Sequence, residues 1–230
     1  MKKDEFERTL QNPLEYWGVK DSDEVRELLG AEVAVMVGYD QRNPHHCYDL
    51  FMHSIHTVDE LDDRSSILIK TAAFFHDIGK PEVAMEKNGR LVFYGHAKKS
   101  SEITEPLLHL MGYGSDEIKT ICFLINHHDD FILWVLPEED YDRDNPYLME
   151  ITAENLSRHI ESVREKNEIP DKLYTLALWK DLLMLCCADA SSQAELVYMY
   201  GELVDSKQHK LKKLNCLLSL FETVKVEEQK

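Results

Sequence analysis

The stretch Phe74-Phe75-His76-Asp77-Ile78-Gly79-Lys80-Pro81 closes an apolar run with a histidine–aspartate pair, then a glycine and a proline. Ile67, Leu68, Ile69, Ala72 and Ala73 precede it and leave almost no polar face, so the segment is expected to be a helix buried on all sides. Gly79 is expected to cap its C-terminus, with Pro81 barring continuation. An ionised Asp77 in such surroundings is costly unless a cation or a hydrogen-bonding partner compensates it. A neutral imidazole beside a carboxylate suits a metal ion. Taken alone, the pair favours a buried His–Asp hydrogen bond, and it is the placing of the other histidines and one late aspartate that raises the metal reading.

Upstream, Asp21-Ser22-Asp23-Glu24 has capping-box spacing ahead of Val25, Leu28 and Leu29. Gly30 then separates a helical run from Glu32 to Val37, and residues 4–17 read as an amphipathic entry segment. A polar loop over 39–46 leads into a helix whose apolar face is Phe51, Ile55, Val58 and Leu61, with His53 and His56 on the adjoining face. Asp62-Asp63-Arg64-Ser65 is expected to break it and to cap the buried helix.

Downstream, Asn88-Gly89 between Met85-Glu86 and Leu91-Val92 predicts a small hairpin. It delivers His96 to a helix running to Leu110 and ending at Gly112. A further helix starts at Ser115. Its stripe Ile118, Ile121, Cys122 and Ile125 continues to His128, with His127 about 100° away as the alternative. Residues 137–150 form an acidic loop, and Thr152 caps a charged helix to about Lys166. Asp171 is expected to start a long apolar helix in which Leu182, Leu185 and Cys186 share a face with Asp189. Residues 205–223 form a lysine-rich amphipathic helix with Leu211, Leu214, Leu217, Leu218 and Phe221 inward.

The inward polar positions are thus His53, His76, Asp77, His96, His128 and Asp189, each at or near a helix end. Four imidazoles and two carboxylates are a nitrogen–oxygen set without thiolates, enough for two metals if one carboxylate bridges. Water between two dications is a nucleophile at neutral pH, which suits phosphoryl displacement.

In order, His53, His76-Asp77 and Asp189 resemble the H…HD…D signature of the HD-domain metal-dependent phosphohydrolase superfamily, and His96 and His128 resemble the added histidines of its binuclear members. Tyr48-Asp49-Leu50-Phe51-Met52-His53-Ser54, Phe75-His76-Asp77-Ile78-Gly79-Lys80-Pro81, Phe93-Tyr94-Gly95-His96-Ala97 and Ala188-Asp189-Ala190 look closest to the HD domain of bacterial tRNA nucleotidyltransferases. The nucleotidyltransferase head has no counterpart here, so CCA addition is not expected. The resemblance covers roughly residues 40–195. It implies an all-α helical bundle, here with the small hairpin, and hydrolysis of a small phosphomonoester or phosphodiester, nucleotides being the first guess. It also implies His53, His76, Asp77 and Asp189 on one metal and Asp77, His96 and His128 on another, with Asp77 bridging and catalytic. Lys80 would face the substrate, its competing reading being a cation at a helix C-terminus. His45, His46 and His56 would line the mouth, while His109, His159 and His209 are given ordinary solvated or partly buried roles. The cofactors implied are one or two divalent ions among Fe, Mn, Co, Ni and Zn. A di-iron oxygenase and a non-catalytic metal-stabilised binding module are the alternatives.

At 230 residues and 43% hydrophobic content the chain fits one domain. Its 26 basic against 43 acidic side chains give a net charge of −17, which argues against extended nucleic acid as a partner. A small phosphorylated ligand stays possible because a bound dication reverses the local field. No apolar run approaches the ~20 residues of a membrane span, and the start has no signal-peptide core. Five cysteines, an odd number without a C-x-x-C pair, read as reduced thiols of a cytoplasmic protein. Nothing in the sequence sets an oligomeric state.

Overall fold

The computed structural model describes residues 1–139, 141–166, 170–171, 173–199 and 201–228. Helices dominate, with three two-stranded sheets among the described residues. The entry segment is two short helices, α1 (Lys3–Thr9) and α2 (Pro13–Trp17). Their burial supplies part of the main core. Phe6 lies edge-on to Phe74 at 5.2 Å and stacks on Phe75 at 5.4 Å, while Trp17 meets Phe51 at 6.2 Å and Phe74 at 5.4 Å. The Trp17 indole N–H, which must find an acceptor when buried, donates to Thr9 Oγ1 at 2.8 Å.

Helix α3 (Ser22–Leu29) starts on the expected capping box, with Asp21 accepting from Glu24 N and Glu24 accepting from Asp21 N. The run after Gly30 is shorter than expected, α4 (Ala31–Ala34) followed by turns to Gly38. Helix α5 (Leu50–Asp59) is capped by the Asp49 carboxylate on Met52 N.

Helix α6 (Ile67–Phe75) has almost every side chain from Ile69 onward buried, and it packs on α5 and on the later helices α8, α9 and α11. Its N-cap is Ser66 rather than the acidic residues before it. Gly79 does not cap its C-terminus either: the helix ends at Phe75, and a turn leads to α7 (Lys80–Val83), with Pro81 in the first turn of α7. Proline suits that place because its missing N–H would have had no partner there.

Gly79 is needed for space, since its φ is −79°. A Cβ there would lie 2.5 Å from Ser100 N and 2.9 Å from His96 O, both backbone atoms that cannot rotate away. Gly79→Ala is therefore expected to lower the unfolding free energy by about 1–3 kcal/mol, the usual cost of overpacking. Urea denaturation measures it, and an unchanged midpoint would show that α7 and α8 can separate freely.

Strands β1 (Met85–Lys87) and β2 (Arg90–Val92) form the expected hairpin, and Asn88 and Gly89 have the positive φ of 54° and 77° that a type I′ turn requires. Helices α8 (His96–Met111) and α9 (Ser115–His127) pack against each other across Gly112. That residue is left-handed, with Tyr113 N donating to Leu108 O at 3.0 Å in a Schellman-type closure. The acidic loop is bracketed by β3 (Trp134–Val135) and β4 (Met149–Glu150), which pair in parallel. Thr152 then caps α10 (Ala153–Glu165) as expected.

The last apolar helix, α11 (Leu176–Ser191), begins later than Asp171 because Thr175 provides the cap, accepting from Leu178 N at 3.2 Å. Strands β5 (Leu196–Met199) and β6 (Glu202–Asp205) form a second hairpin that the sequence analysis missed. Helix α12 (Ser206–Glu228) returns along α11, burying Leu214, Leu217 and Phe221. All five cysteines are free thiols. No helix among the described residues is long and apolar enough to cross a membrane.

Candidate metal centre

Three helices direct their C-terminal ends to one place. His76 and His128 are the C-cap residues of α6 and α9, and Asp189 lies in the last turn of α11. The unsatisfied carbonyls of such ends carry partial negative charge and favour a cation between them. His53 reaches the same point from one turn into α5, and His96 from the first residue of α8 after the left-handed Gly95. His53, His76, Asp77 and His128 are each no more than 5% exposed.

Asp77 stands at the middle. Its Oδ2 is 3.4 Å from His53 Nε2 and 3.2 Å from His76 Nε2, and its Oδ1 is 3.0 Å from His96 Nε2 and 3.6 Å from His128 Nε2. Asp189 Oδ1 completes the first side, 2.9 Å from His53 Nε2 and 3.7 Å from His76 Nε2. The six positions expected from the sequence therefore converge, although they span residues 53 to 189.

Every ring is held by its other nitrogen. His76, His96 and His128 each donate from Nδ1 to the carbonyl three residues earlier, on Ala73, Phe93 and Ile125, at 2.7, 2.9 and 2.7 Å. His53 Nδ1 lies 3.0 Å from Ser192 Oγ, which donates onward to Asp189 O. Fixing Nδ1–H in this way leaves Nε2 as the nitrogen available to a ligand. Among the described residues, His53 Nε2, His76 Nε2 and Asp77 Oδ1 are buried with no well-aligned hydrogen bond, close as the neighbouring oxygens and nitrogens are, a costly state for polar atoms unless another group meets them. Two sets of atoms could each hold a metal ion, His53 with His76 and Asp77, and Asp77 with His96 and His128, every set lying within 4.8 Å.

The electrostatics agree with a site awaiting positive charge. Burial opposes ionisation of Asp77 and Asp189, yet His76 and Lys80 around the first, and His53 and His76 around the second, hold both carboxyls well below the usual range. Burial also opposes charge on His76, but Asp77 and Asp189 outweigh it and push the imidazole up to about 10.

Of the two adjacent histidines it is His128 that faces Asp77. His127 turns away, its Nδ1 2.8 Å from Asp130 Oδ2, which His159 Nε2 also meets at 2.9 Å. Lys80 lines the cavity, but its ammonium lies 2.6 Å from Asp77 Oδ2 and 2.9 Å from Gln41 Oε1.

Asp129 went unrecognised in the sequence. Its carboxylate is 3.2 Å from His96 Nε2 and 3.6 Å from His128 Nε2, next to the second set. Its one signal was adjacency to His128.

A cavity of about 580 Å³ opens over the centre. His45 and His46 line it as expected, and both are held neutral, burial lowering them to about 4 and about 2. His56 does not line it, being stacked on Tyr48 at 4.0 Å. His209, given an ordinary solvated or partly buried role, is among the lining residues.

A family model described as HD domain matches residues 45–156. The match includes five of the six converging positions, Asp189 lying beyond it. A comparison with curated proteins returned no match.

Proposed function

With residues 45–156 forming an HD domain of the metal-dependent phosphohydrolase superfamily, we propose that this chain hydrolyses a small phosphomonoester or phosphodiester, nucleotides first. The observation that carries the proposal is Asp77, whose two oxygens face separate imidazole pairs as a bridging carboxylate would. In this reading His53, His76, Asp77 and Asp189 hold one divalent transition-metal ion, and Asp77, His96 and His128 hold a second beside Asp129. When bound, the ions supply Lewis acidity and make water acidic enough to react at neutral pH.

The chain's own groups do the rest. The three carbonyls and Ser192 hold the imidazoles in register, so nothing needs to reorganise as charge develops. Lys80 fixes Asp77 Oδ2. Neutral His45 and His46 and the apolar side chains of Val92, Phe93 and Phe131 line the path by which an ester enters.

His96→Ala is expected to lower the metal content from two ions per chain toward one while the protein stays folded. Elemental analysis of the metal-saturated variant measures this, and an unchanged content would remove His96 from the set. The proposal itself is tested by screening metal-loaded protein against nucleotide mono- and diesters and phosphosugars. Phosphate or alcohol release that chelation abolishes is expected. Absence of release with every ester, together with dioxygen consumption at an electrode, would replace hydrolysis by oxygenation.

A further inference from the structure

The wall of the cavity opposite the β1–β2 hairpin is α12, which presents Ser206, His209, Lys210, Lys213 and Leu214. This helix lies outside the HD match, and none of its side chains belongs to the ligand set proposed above. Its lysines divide sharply. Lys212 points outward and has a carboxylate partner, Glu138, at 2.9 Å. Lys210 and Lys213 point inward, three residues apart on one face, and have no carboxylate partner among the described residues.

Lys210 is half-buried, and its ammonium donates to the neutral Oε1 of Gln193. Gln193 Nε2 donates in turn to Asp189 Oδ1 at 3.0 Å, so two hydrogen bonds link Lys210 to the metal-centre carboxylate. Lys213 donates to the backbone carbonyls of Ile132 and Trp134 at 3.3 and 2.8 Å. Burial pulls both ammoniums below the ordinary lysine range. An ammonium has three protons to donate, and these two give theirs only to neutral acceptors. In a chain with 43 acidic side chains, two inward ammoniums hydrogen-bonded only to neutral acceptors, with Asp189 and Asp129 acting on Lys210 and Glu139 on Lys213 from beyond ion-pair distance, are suited to an anionic group in the cavity.

We propose that Lys210, assisted by Lys213, forms a subsite for a second phosphate of the substrate, so that the preferred substrates are diphosphates or bisphosphates rather than simple monoesters. This rests on the phosphohydrolase reading of the metal centre, where the first phosphate sits. The remainder of the molecule would lie against Val92, Phe93, Phe131 and Ile132, the apolar part of the lining.

The test measures binding of inorganic phosphate and inorganic pyrophosphate to metal-loaded wild type, Lys210→Met and Lys210→Arg by calorimetry. Hydrolysis of p-nitrophenyl phosphate and a nucleoside 5′-diphosphate is followed in parallel. Losing one hydrogen bond to a charged group should weaken pyrophosphate about tenfold or more in Lys210→Met. Phosphate affinity and p-nitrophenyl phosphate turnover should stay within about twofold, and Lys210→Arg should retain most of the pyrophosphate affinity. Equal weakening of both anions, or of neither, overturns the subsite. If circular dichroism shows Lys210→Met unfolded, Lys210→Gln is judged by the same criteria. Should no ester be hydrolysed while pyrophosphate binding still depends on Lys210, the hydrolase reading falls and the subsite stands. Hydrolysis with pyrophosphate binding indifferent to Lys210 gives the reverse.

Discussion

Asp77→Ala is expected to leave no measurable hydrolysis, a fall larger than the ~10²–10⁴ that losing a general acid or base costs. The geometry is the reason. One carboxylate faces four Nε2 atoms between 3.0 and 3.6 Å, two on each oxygen, so its removal takes a ligand from both proposed ions at once. It also strands Lys80, a buried ammonium whose remaining partner is the neutral Gln41. Metal content should drop with activity. Asp77→Asn separates the two causes, because the amide keeps the volume and loses the charge. Steady-state rates and elemental analysis on both variants check this. A variant retaining two ions per chain would show that Asp77 bridges nothing.

The second large effect is on the pH dependence of metal affinity. In the metal-free protein the His76 imidazole is pushed up to about 10 by Asp77 and Asp189, against its burial, and His128 is raised as well. A value of about 10 means that the His76 ring keeps its proton at neutral pH. An ion coordinates only the deprotonated Nε2, so the ion that His76 would hold must displace a proton. Affinity therefore rises with pH up to about 10, by about tenfold per unit for each proton displaced, or about a hundredfold between pH 6 and pH 8 for one. Competition with a chelating dye calibrated at each pH measures the slope. A flat profile would mean that the imidazoles are already neutral and that something other than these protons balances Asp77 and Asp189.

The converging residues were legible because helix periodicity carries direction. His128 continues the stripe of Ile118, Ile121 and Ile125, and Asp189 continues that of Leu182, Leu185 and Cys186, so each was placed on a buried face before its neighbours were known. Asp129 was not legible. It follows His128, the C-cap of α9, where the direction of a side chain depends on how the chain leaves the helix. His127 and Asp130 show the same dependence, since they turn to His159 on α10. Helix ends were misplaced wherever two capping residues competed, as with Asp171 against Thr175 and the acidic run 62–63 against Ser66.

Other features depended on contacts distant in sequence. Phe6 and Trp17 looked like an amphipathic entry of unreadable role, and only packing on Phe74 and Phe51 makes them core. The β5–β6 hairpin hid in a short apolar run, Leu196-Val197-Tyr198-Met199, which carries no alternation. Lys210 and Lys213 read as the solvated side of α12, because lysine on an amphipathic helix ordinarily is.

The central claim is that six side chains on five helices or their ends hold two ions around one carboxylate. Crystals soaked in a manganese salt and measured for anomalous scattering test it most directly. Two peaks are expected about 3.5–4 Å apart, one among His53, His76, Asp77 and Asp189 and one among Asp77, His96 and His128. A single peak, or peaks away from Asp77, would contradict it.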